Sequence, residues 1–417
     1  MTYLKKISQL ALLLLSISVF SQQQITLDEC YELVTKNYPL VKKTALLEKQ
    51  NKIDIAIIDT EKLPQINLSA QATYQSDVIG LPIATIIPPN NDQYRANITA
   101  TQLIYADGII AAKKEVKKAA LKTAKKQVEV NLYLLKKQVN QLYFSIILLQ
   151  EKRNLLTSKK EQLLTKLKEV KSGIKNGVVL PASDKVIESQ LLKIEQQFTE
   201  IEQTKTILID NLATVTGTEI DKTITFNQPY ITTAIGNGLA RPEMDLFQLK
   251  KEEIEASKKV ISKKNSPKII GFVNGGYGNP GLNMLDNSFQ GYYTVGVQLN
   301  WTVLDWNANK KQQESISINN DIIDNQVAVF KLNTNIALKK LETEIAKITI
   351  LIATDKKIIL LQKEVLQSAE AQLKNGIITA SAYITEISNL FEDQNALLTH
   401  FIQLDLAKAN YNTTQGK

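Results

Sequence analysis

Two short stretches, GIKNGVV at residues 173–179 and QLKNGII at residues 372–378, decide how this chain folds. Each one interrupts a long helical pattern with the sequence Lys-Asn-Gly, and Asn375 follows Asn176 by 199 residues. Glycine is common just past the end of a helix, because it adopts the left-handed backbone conformation that reverses the chain there. Each stretch therefore predicts the tip of a helical hairpin, and their spacing predicts two copies of one structural unit.

Heptad patterns lead into and out of both predicted tips. Residues from Val128 to Ile174 and from Leu338 to Leu373 keep alternating spacings of four and three. The seam positions are apolar except for Arg153 and Lys160 in the first pattern and Asp355 and Gln362 in the second. Shorter patterns of the same kind run from Val186 to Val215 and from Ile384 to Ala409. A sustained seven-residue period is typical of helices that pack as left-handed coiled pairs. Residues 108–175 as a single helix would be about 100 Å long.

A pair of strand patterns precedes each long helical pattern: residues 66–75 with 94–103, and residues 269–277 with 293–303. Apolar and polar residues alternate along them, so that one face of the first strand carries Ile66, Leu68, Ala70, Ala72 and Tyr74. Such strands suit a barrel with one face toward lipid and one toward water. A soluble sheet with one solvated side gives the same alternation.

The beginning of the chain resembles an export signal, with Lys5 and Lys6 before an apolar run from Leu10 to Val19. An N-terminal membrane anchor is the alternative. No later stretch is apolar enough for a transmembrane helix, so strands would have to hold the protein in a membrane. The predicted segments are a signal peptide at 1–21, a first repeat at 22–217, a linker at 218–240 and a second repeat at 241–417.

The composition argues against the common enzyme classes. The chain has a single cysteine, a single histidine and three methionines, which leaves little for metal binding or for acid–base catalysis by histidine. We therefore expect no catalytic residues, no cofactor and no metal. Gly276 to Gly281 matches a dinucleotide fingerprint, but Pro280 and a further strand pattern follow where a helix would be needed, which predicts a surface loop.

The net charge of +8 does not indicate nucleic acid binding, because the lysines are spread along helical patterns that also carry glutamates. Three lysine groups do precede or follow the predicted strands. Those at the starts of the two long helices are expected to face the headgroups of the inner leaflet of a membrane. They are Lys113, Lys114, Lys117, Lys118, Lys310 and Lys311. A solvated helix face is the alternative.

A strand pair, a long helical hairpin and a tandem repeat of both resemble the TolC-like outer membrane efflux proteins. The resemblance covers residues 26–414, with local similarities at Asn37-Tyr38-Pro39 and at Tyr105-Ala106-Asp107-Gly108. The first tip also resembles the family pattern of a glycine followed seven residues later by an aspartate, here Gly177 and Asp184. Tyr383 stands at the matching place of the second tip.

The resemblance implies an α+β membrane protein that forms a homotrimer. Each chain would give four strands to one barrel of twelve, and the helices would continue as a coiled-coil tunnel through the periplasm. The protein would then lie in the outer membrane of a Gram-negative bacterium, in contact with its lipid. It would serve as the passive channel of an efflux pump or type I secretion system, with a periplasmic adaptor and an inner-membrane transporter as partners.

The resemblance also places the adaptor at the hairpin tips. The docking residues expected there are Asn176, Gly177, Val178, Val179, Leu180, Ser183, Asn375, Gly376, Ile377, Ile378 and Thr379. We expect the apolar ones among them to be exposed. The acids just beyond the tips, Asp184, Glu188 and Glu386, are candidates for a cation-attracting gate, with pairing to Lys185 or solvent as the alternative.

A coiled-coil scaffold or adaptor of the cell envelope is the alternative function, against which the alternating strands argue. The two strand-connecting loops, expected near 76–93 and 278–288, would lie outside the cell in the channel interpretation. They contain Pro88-Pro89-Asn90-Asn91 and Asn279-Pro280-Gly281, which suit turns.

Overall fold

The computed structural model describes residues 24–80, 88–233 and 238–417. The predicted signal peptide at 1–21 lies outside these residues. The helices within them are α1 (Leu27–Asn37), α2 (Lys42–Thr60), α3 (Ile109–Lys175), α4 (Ser183–Thr216), α5 (Pro242–Ser262), α6 (Ala308–Lys374) and α7 (Ala380–Gln415). The strands are β1 (Gln24–Ile25), β2 (Gln65–Tyr74), β3 (Asp92–Tyr105), β4 (Thr225–Phe226), β5 (Lys268–Asn279) and β6 (Gln290–Asn300).

The two halves of the chain share one element order. Each has a helix, two antiparallel strands, a helix of 67 residues, a short turn and a returning helix. The returning helices α4 and α7 are also close in length, at 34 and 36 residues. The long helix predicted over 108–175 is therefore present as α3, and its counterpart α6 has the same length.

The compact units of the structure do not coincide with the sequence repeats. One unit, which we call the helical unit, contains residues up to Val41 together with Glu129–Pro242 and Lys331–Lys417. The other, the sheet unit, contains Lys42–Val128 and Glu243–Phe330. Each unit thus takes segments from both halves of the chain.

The sheet unit contains a four-stranded antiparallel sheet in the order β2-β3-β5-β6. Successive side chains of a strand point to opposite faces of the sheet. The register of the four strands aligns apolar residues on one face and polar residues on the other. One row is Leu68, Ile98, Gly275 and Tyr293, and the neighbouring row is Asn67, Thr99, Asn274 and Thr294. The predicted alternation is confirmed as one apolar and one polar face.

The strand β5 is longer than expected. It continues to Asn279, so the first residues of the apparent dinucleotide fingerprint are strand and only Pro280 and Gly281 lie in the loop. A side chain at Gly276 would collide with the ring of Tyr292, whose hydroxyl donates to Asn97 Oδ1 at 2.7 Å. The glycine therefore makes room for a tyrosine that spans the polar face, and no phosphate-binding turn is involved.

Each strand pair enters its long helix through a turn with left-handed backbone. Asp107 and Gly108 have positive φ angles before α3, as do Trp306 and Asn307 before α6. Asp107 Oδ2 accepts hydrogen bonds from Ser266 Oγ at 2.7 Å and from Lys263 Nζ at 2.9 Å, which lower the pKa of its carboxyl. The backbone N–H of Asn309 donates to Asp305 Oδ2 at 2.8 Å and so caps the first turn of α6.

The seam predicted from the heptads is the core of the helical unit. Val139, Ile146, Leu156, Leu163 and Val170 of α3 are all buried there. The two seam positions that break the pattern are also explained, because Arg153 and Lys160 pair with Glu202 and Glu195 of α4. Both cations also lie beside the ring of Phe198.

None of the helices in the described part of the chain has an apolar stretch that could span a bilayer.

Both long helices end in the same hydrogen-bonded turn. Gly177 has a φ of +72° and Gly376 a φ of +70°. The N–H of Val178 donates to the carbonyl of Gly173 at 2.9 Å, and that of Ile377 donates to the carbonyl of Gln372 at 2.9 Å. This pattern, a Schellman motif, satisfies carbonyl groups that the end of a helix would otherwise leave unpaired. The Lys-Asn-Gly repeat is therefore a helix stop signal, as predicted.

Replacing Gly376 with alanine tests this explanation. No atom lies within 4 Å of the position a Cβ would take, so the cost comes from the left-handed backbone alone. We expect a loss of about 1 kcal/mol in the local stability of the turn. Hydrogen exchange of the amides at residues 376 and 377 should become about fivefold faster.

Gly80→Ala is the matched control, because Gly80 also has free space around it but its φ is not in the left-handed region. It should leave exchange at the tip unchanged. Equal exchange in Gly376→Ala and the natural protein would show that the turn does not depend on glycine.

Candidate functional site

The structure brings the two hairpin tips together at one end of the helical unit. We call residues 176–182 the first tip and residues 375–379 the second tip. Side chains of both line one open groove of about 400 Å³, among them Val178 and Leu180 of the first tip and Ile377 and Thr379 of the second. The clustering follows from α3, α4, α6 and α7 sharing one core, to which Leu163, Ile187, Leu366 and Ile384 contribute.

The apolar tip residues divide into two groups. Val178, Leu180 and Ile377 are exposed, with relative accessibilities of 71%, 64% and 70%. Val179 and Ile378 were expected to be exposed too, and this is wrong. Both are half-buried against the core of the four helices, because the Schellman turn directs the residue after the exposed one back toward the bundle. The exposed apolar residues of the tips are therefore Val178, Leu180 and Ile377.

The polar residues of the tips shape the turns. Thr379 caps α7, its Oγ1 accepting from the backbone N–H of Ala382 at 3.2 Å. Ser183 is buried as the first residue of α4, whereas Asn176 and Asn375 are exposed beside the two glycines. Ala182 holds a φ of +67° before α4, a conformation that is unfavourable for alanine. The expected role of Asn176, Ser183, Asn375 and Thr379 in docking stays a prediction.

The candidate gate residues have partners within their own hairpins. Glu188 pairs with Lys171 Nζ at 2.9 Å and with Lys185 Nζ at 2.7 Å. Lys185 also lies 3.7 Å from Asp184. Glu386 Oε2 accepts from Gln362 Nε2 at 2.8 Å. Pairing with lysine was the alternative to a gate, and Glu188 has that geometry, so a gating role stays a prediction.

The lysines around Glu188 also determine its ionisation. Hydrogen bonds from Lys185 and Lys171 lower the pKa of the Glu188 carboxyl to about 2. The same contact raises the pKa of Lys185. Glu188 therefore stays ionised in any mildly acidic medium, and protonation of this residue would not control the tip between pH 4 and pH 7.

The lysines at the start of α3 have acidic partners in α2, just after α2, or on α3 itself. Lys113 pairs with Glu61 at 2.6 Å and Lys117 with Asp54 at 3.0 Å. Lys114 contacts Asp59, and Lys118 pairs with Glu115 one turn away at 2.9 Å. Lys310 and Lys311 are exposed at the start of α6. Their contact with lipid headgroups stays a prediction, and for the α3 lysines it would compete with these ion pairs.

A buried lysine between the two hairpins was not predicted. Lys166 of α3 has a relative accessibility of 8% and pairs with Glu169 at 2.6 Å and with Glu370 of α6 at 2.7 Å. Its ammonium also lies 5.1 Å from the ring centroid of Tyr383, the residue at the aspartate position of the second tip. Burial disfavours the charged lysine, but the two carboxylates outweigh burial and the pKa of Lys166 is raised.

The single histidine also has a defined partner. His400 Nδ1 lies 2.6 Å from Asp355 Oδ2, and Asp355 occupies a buried seam position of α6. The pair explains how an aspartate is accommodated in the apolar seam. In the described residues, no group of three or more His, Cys, Asp or Glu side chains is arranged to hold a metal ion. The pairs Lys166–Glu370 and His400–Asp355 could not have been assigned from the sequence, because each joins residues of two different helices.

No family model matches this sequence, and no curated protein matches it. Solved structures do. The outer membrane protein VceC of Vibrio cholerae matches with a TM-score of 0.65 over 94% of this chain and 96% of its own, at 13% identity. CusC, whose structures concern folding and transmembrane channel formation, matches with a TM-score of 0.68 over 94% of this chain and 92% of its own, at 12% identity.

The outer membrane channel MtrE of Neisseria gonorrhoeae matches with a TM-score of 0.64 over 94% of this chain and 88% of its own, at 13% identity. Similarity at this level of identity establishes a shared fold. This chain therefore has the fold of VceC, CusC and MtrE, which confirms the predicted combination of strand pairs with long helical hairpins in one chain.

Replacement of Lys166 by alanine is expected to destabilise the helical unit by about 1 to 2 kcal/mol, since it removes two charge-assisted hydrogen bonds from a largely buried site. The partner carboxylates are more than half exposed and stay solvated. The pKa of Lys166 is raised in the folded state. The decrease in unfolding free energy caused by Lys166→Ala should therefore have its full size at neutral pH and should become smaller only in strongly alkaline solution. Unfolding in guanidinium chloride measures the difference in unfolding free energy between the variant and the natural protein.

Lys168→Ala is the control, as Lys168 is an exposed lysine on the same turn of α3. Its effect should stay within about 0.5 kcal/mol. Equal unfolding midpoints for the two variants would contradict a stabilising role for the buried lysine.

Proposed function

We propose that this protein is the outer-membrane channel subunit of a tripartite efflux pump or of a type I secretion system. It conducts solutes or proteins passively from the periplasm to the exterior and catalyses no reaction. Free energy for transport comes from an inner-membrane transporter. The chain works as a homotrimer in the outer membrane of a Gram-negative bacterium, with its helices in the periplasm.

The observation that carries this proposal is the state of the four-stranded sheet in a single chain. Leu68, Tyr293 and Val297 on its apolar face have accessibilities of 81%, 79% and 69%. The outer strands β2 and β6 each have one edge without a partner in the sheet. A membrane tolerates such a sheet only when the edges are paired, and three copies of four strands close one barrel of twelve.

The similarity to outer membrane channels supports the same function. VceC, CusC and MtrE match over nearly the whole of this chain, so both the sheet and the helical hairpins have counterparts in those proteins. The exposed residues Val178, Leu180 and Ile377 at the tips suit docking of a periplasmic adaptor, since apolar patches rimmed by polar residues are typical of protein interfaces.

Extraction and conductance together test the channel. The protein should require detergent for extraction from membranes, and the purified trimer should form ion-conducting pores in a planar bilayer. A coiled-coil scaffold would be released by lysis without detergent and would conduct nothing. A monomeric protein that stays soluble after detergent removal would therefore refute the proposal.

Acidic substitutions at the exposed tip residues test the docking surface. Val178→Asp combined with Ile377→Asp should abolish transport of a fluorescent pump substrate in cells, because charges would replace the apolar contact. Trimer formation and membrane location should be unchanged, since both side chains point away from the core.

Ser172→Asp combined with Ala371→Asp is the matched control. It adds two charges at exposed positions one turn before the tips and keeps the apolar residues. Transport should remain near normal. Normal transport in the Val178 and Ile377 double variant would exclude the tips as the docking surface.

A further inference from the structure

The polar face of the sheet carries charge of a single sign. In the four strands as the structure describes them, the charged residues are Asp92, Arg95 and Lys268. Asp92 lies opposite Tyr74 and therefore belongs to the apolar face. Arg95 is aligned with Gln71 and Gly278, and Lys268 with Asn300. The polar face thus has a cation near each end and no carboxylate between them.

The neighbouring strand β5 leaves space for the side chain of Arg95. A Cβ at Gly278 would lie 3.0 Å from Arg95 Cγ and 2.6 Å from the carbonyl oxygen of Tyr94, so glycine leaves room for the arginine stem. Arg95 lines an open depression of about 540 Å³ together with Gln71, Thr73, Gln93, Pro280 and Met284. No acidic side chain is among these residues.

The guanidinium is available to a solute. Among the described residues, no carboxylate lies within ion-pair distance of Arg95, in contrast to the lysines that start α3. In the connecting loops, Asp286 accepts from Gln290, and Asp77 accepts from the backbone N–H of Val78 at 2.9 Å. Both lie beyond the strand ends.

We propose that Arg95, supported by Lys268, makes the barrel lumen electropositive, so that this channel favours anionic organic solutes over cations. The inference rests on the proposed trimeric channel, in which the polar face lines the pore and each cation occurs three times around the axis. Rings of like charge in a narrow aqueous pore raise the local concentration of the opposite ion and set its selectivity.

A cysteine reporter on the polar face tests the potential where it arises. Ser69 is exposed and lies on the same face, opposite Asn97. Ser69→Cys channels in a planar bilayer would be treated with an anionic and with a cationic methanethiosulfonate, and the fall in single-channel current gives each rate. The ratio of anionic to cationic rate should fall roughly threefold when Arg95→Gln is added.

Arg95→Lys is the matched control, because it keeps the charge and should keep the ratio. An unchanged ratio in Arg95→Gln would overturn the inference. Absence of any channel current from the unmodified protein would instead reject the proposed function, so the two failures are distinguishable.

Reversal potentials under a KCl gradient extend the test to permeation. The natural channel should prefer chloride, and Arg95→Glu should shift the reversal potential toward that of potassium. A cation-selective natural channel, or a reversal potential that is the same in Arg95→Glu, would show that this residue does not select the permeating ion.

Discussion

The structure depends on one constraint, namely that the backbone N–H and C=O groups at a sheet edge must find partners. Among the described residues of one chain, β3 and β5 are paired on both sides, whereas β2 and β6 are each paired on one side only. The apolar face of the same sheet is exposed to a degree that a soluble monomer rarely shows. Lipid would satisfy the apolar face but not the edges, and neighbouring copies of the chain would satisfy the edges.

The helical hairpins follow a second, local constraint. A helix of 67 residues has no intrinsic reason to stop, and the chain stops it with a glycine in the left-handed conformation at Gly177 and at Gly376. In the same turn, Val178 and Ile377 are exposed, whereas Val179 and Ile378 pack against the core. The stop signal and the exposed apolar residues of the tips are therefore parts of one structural feature, since the residue directly after each glycine is the exposed one.

Much of this fold was predictable because it follows from the spacing of apolar residues along short segments of the sequence. A seven-residue spacing defines a coiled-coil seam and a two-residue spacing defines a strand, whatever the rest of the chain does. The strand faces, the two long helices and both tips were predicted in this way. The compact units were not, since pairing between halves separated by nearly 200 residues leaves no local signal.

The candidate site was less predictable for the same reason. Glu188 was identified as an acid near a tip, but its partners Lys171 and Lys185 depend on how α3 meets α4. The burial of Lys166 requires Glu370 from another helix, and the single charge sign of the polar face requires the register of all four strands. Each of these features became visible only when residues distant in sequence were placed side by side.

Cross-linking between the free edges tests the central claim most directly. A chain with Ser69→Cys on β2 and a second cysteine at Tyr292, Thr294 or Gln298 on β6 would be oxidised in membranes. If the edge of one subunit pairs with that of the next, at least one combination should give covalent dimers and trimers on denaturing gels, and chains with only one of the two introduced cysteines should give none. Monomers in every combination, with both introduced cysteines still reactive toward maleimide, would contradict closure of the barrel by three copies.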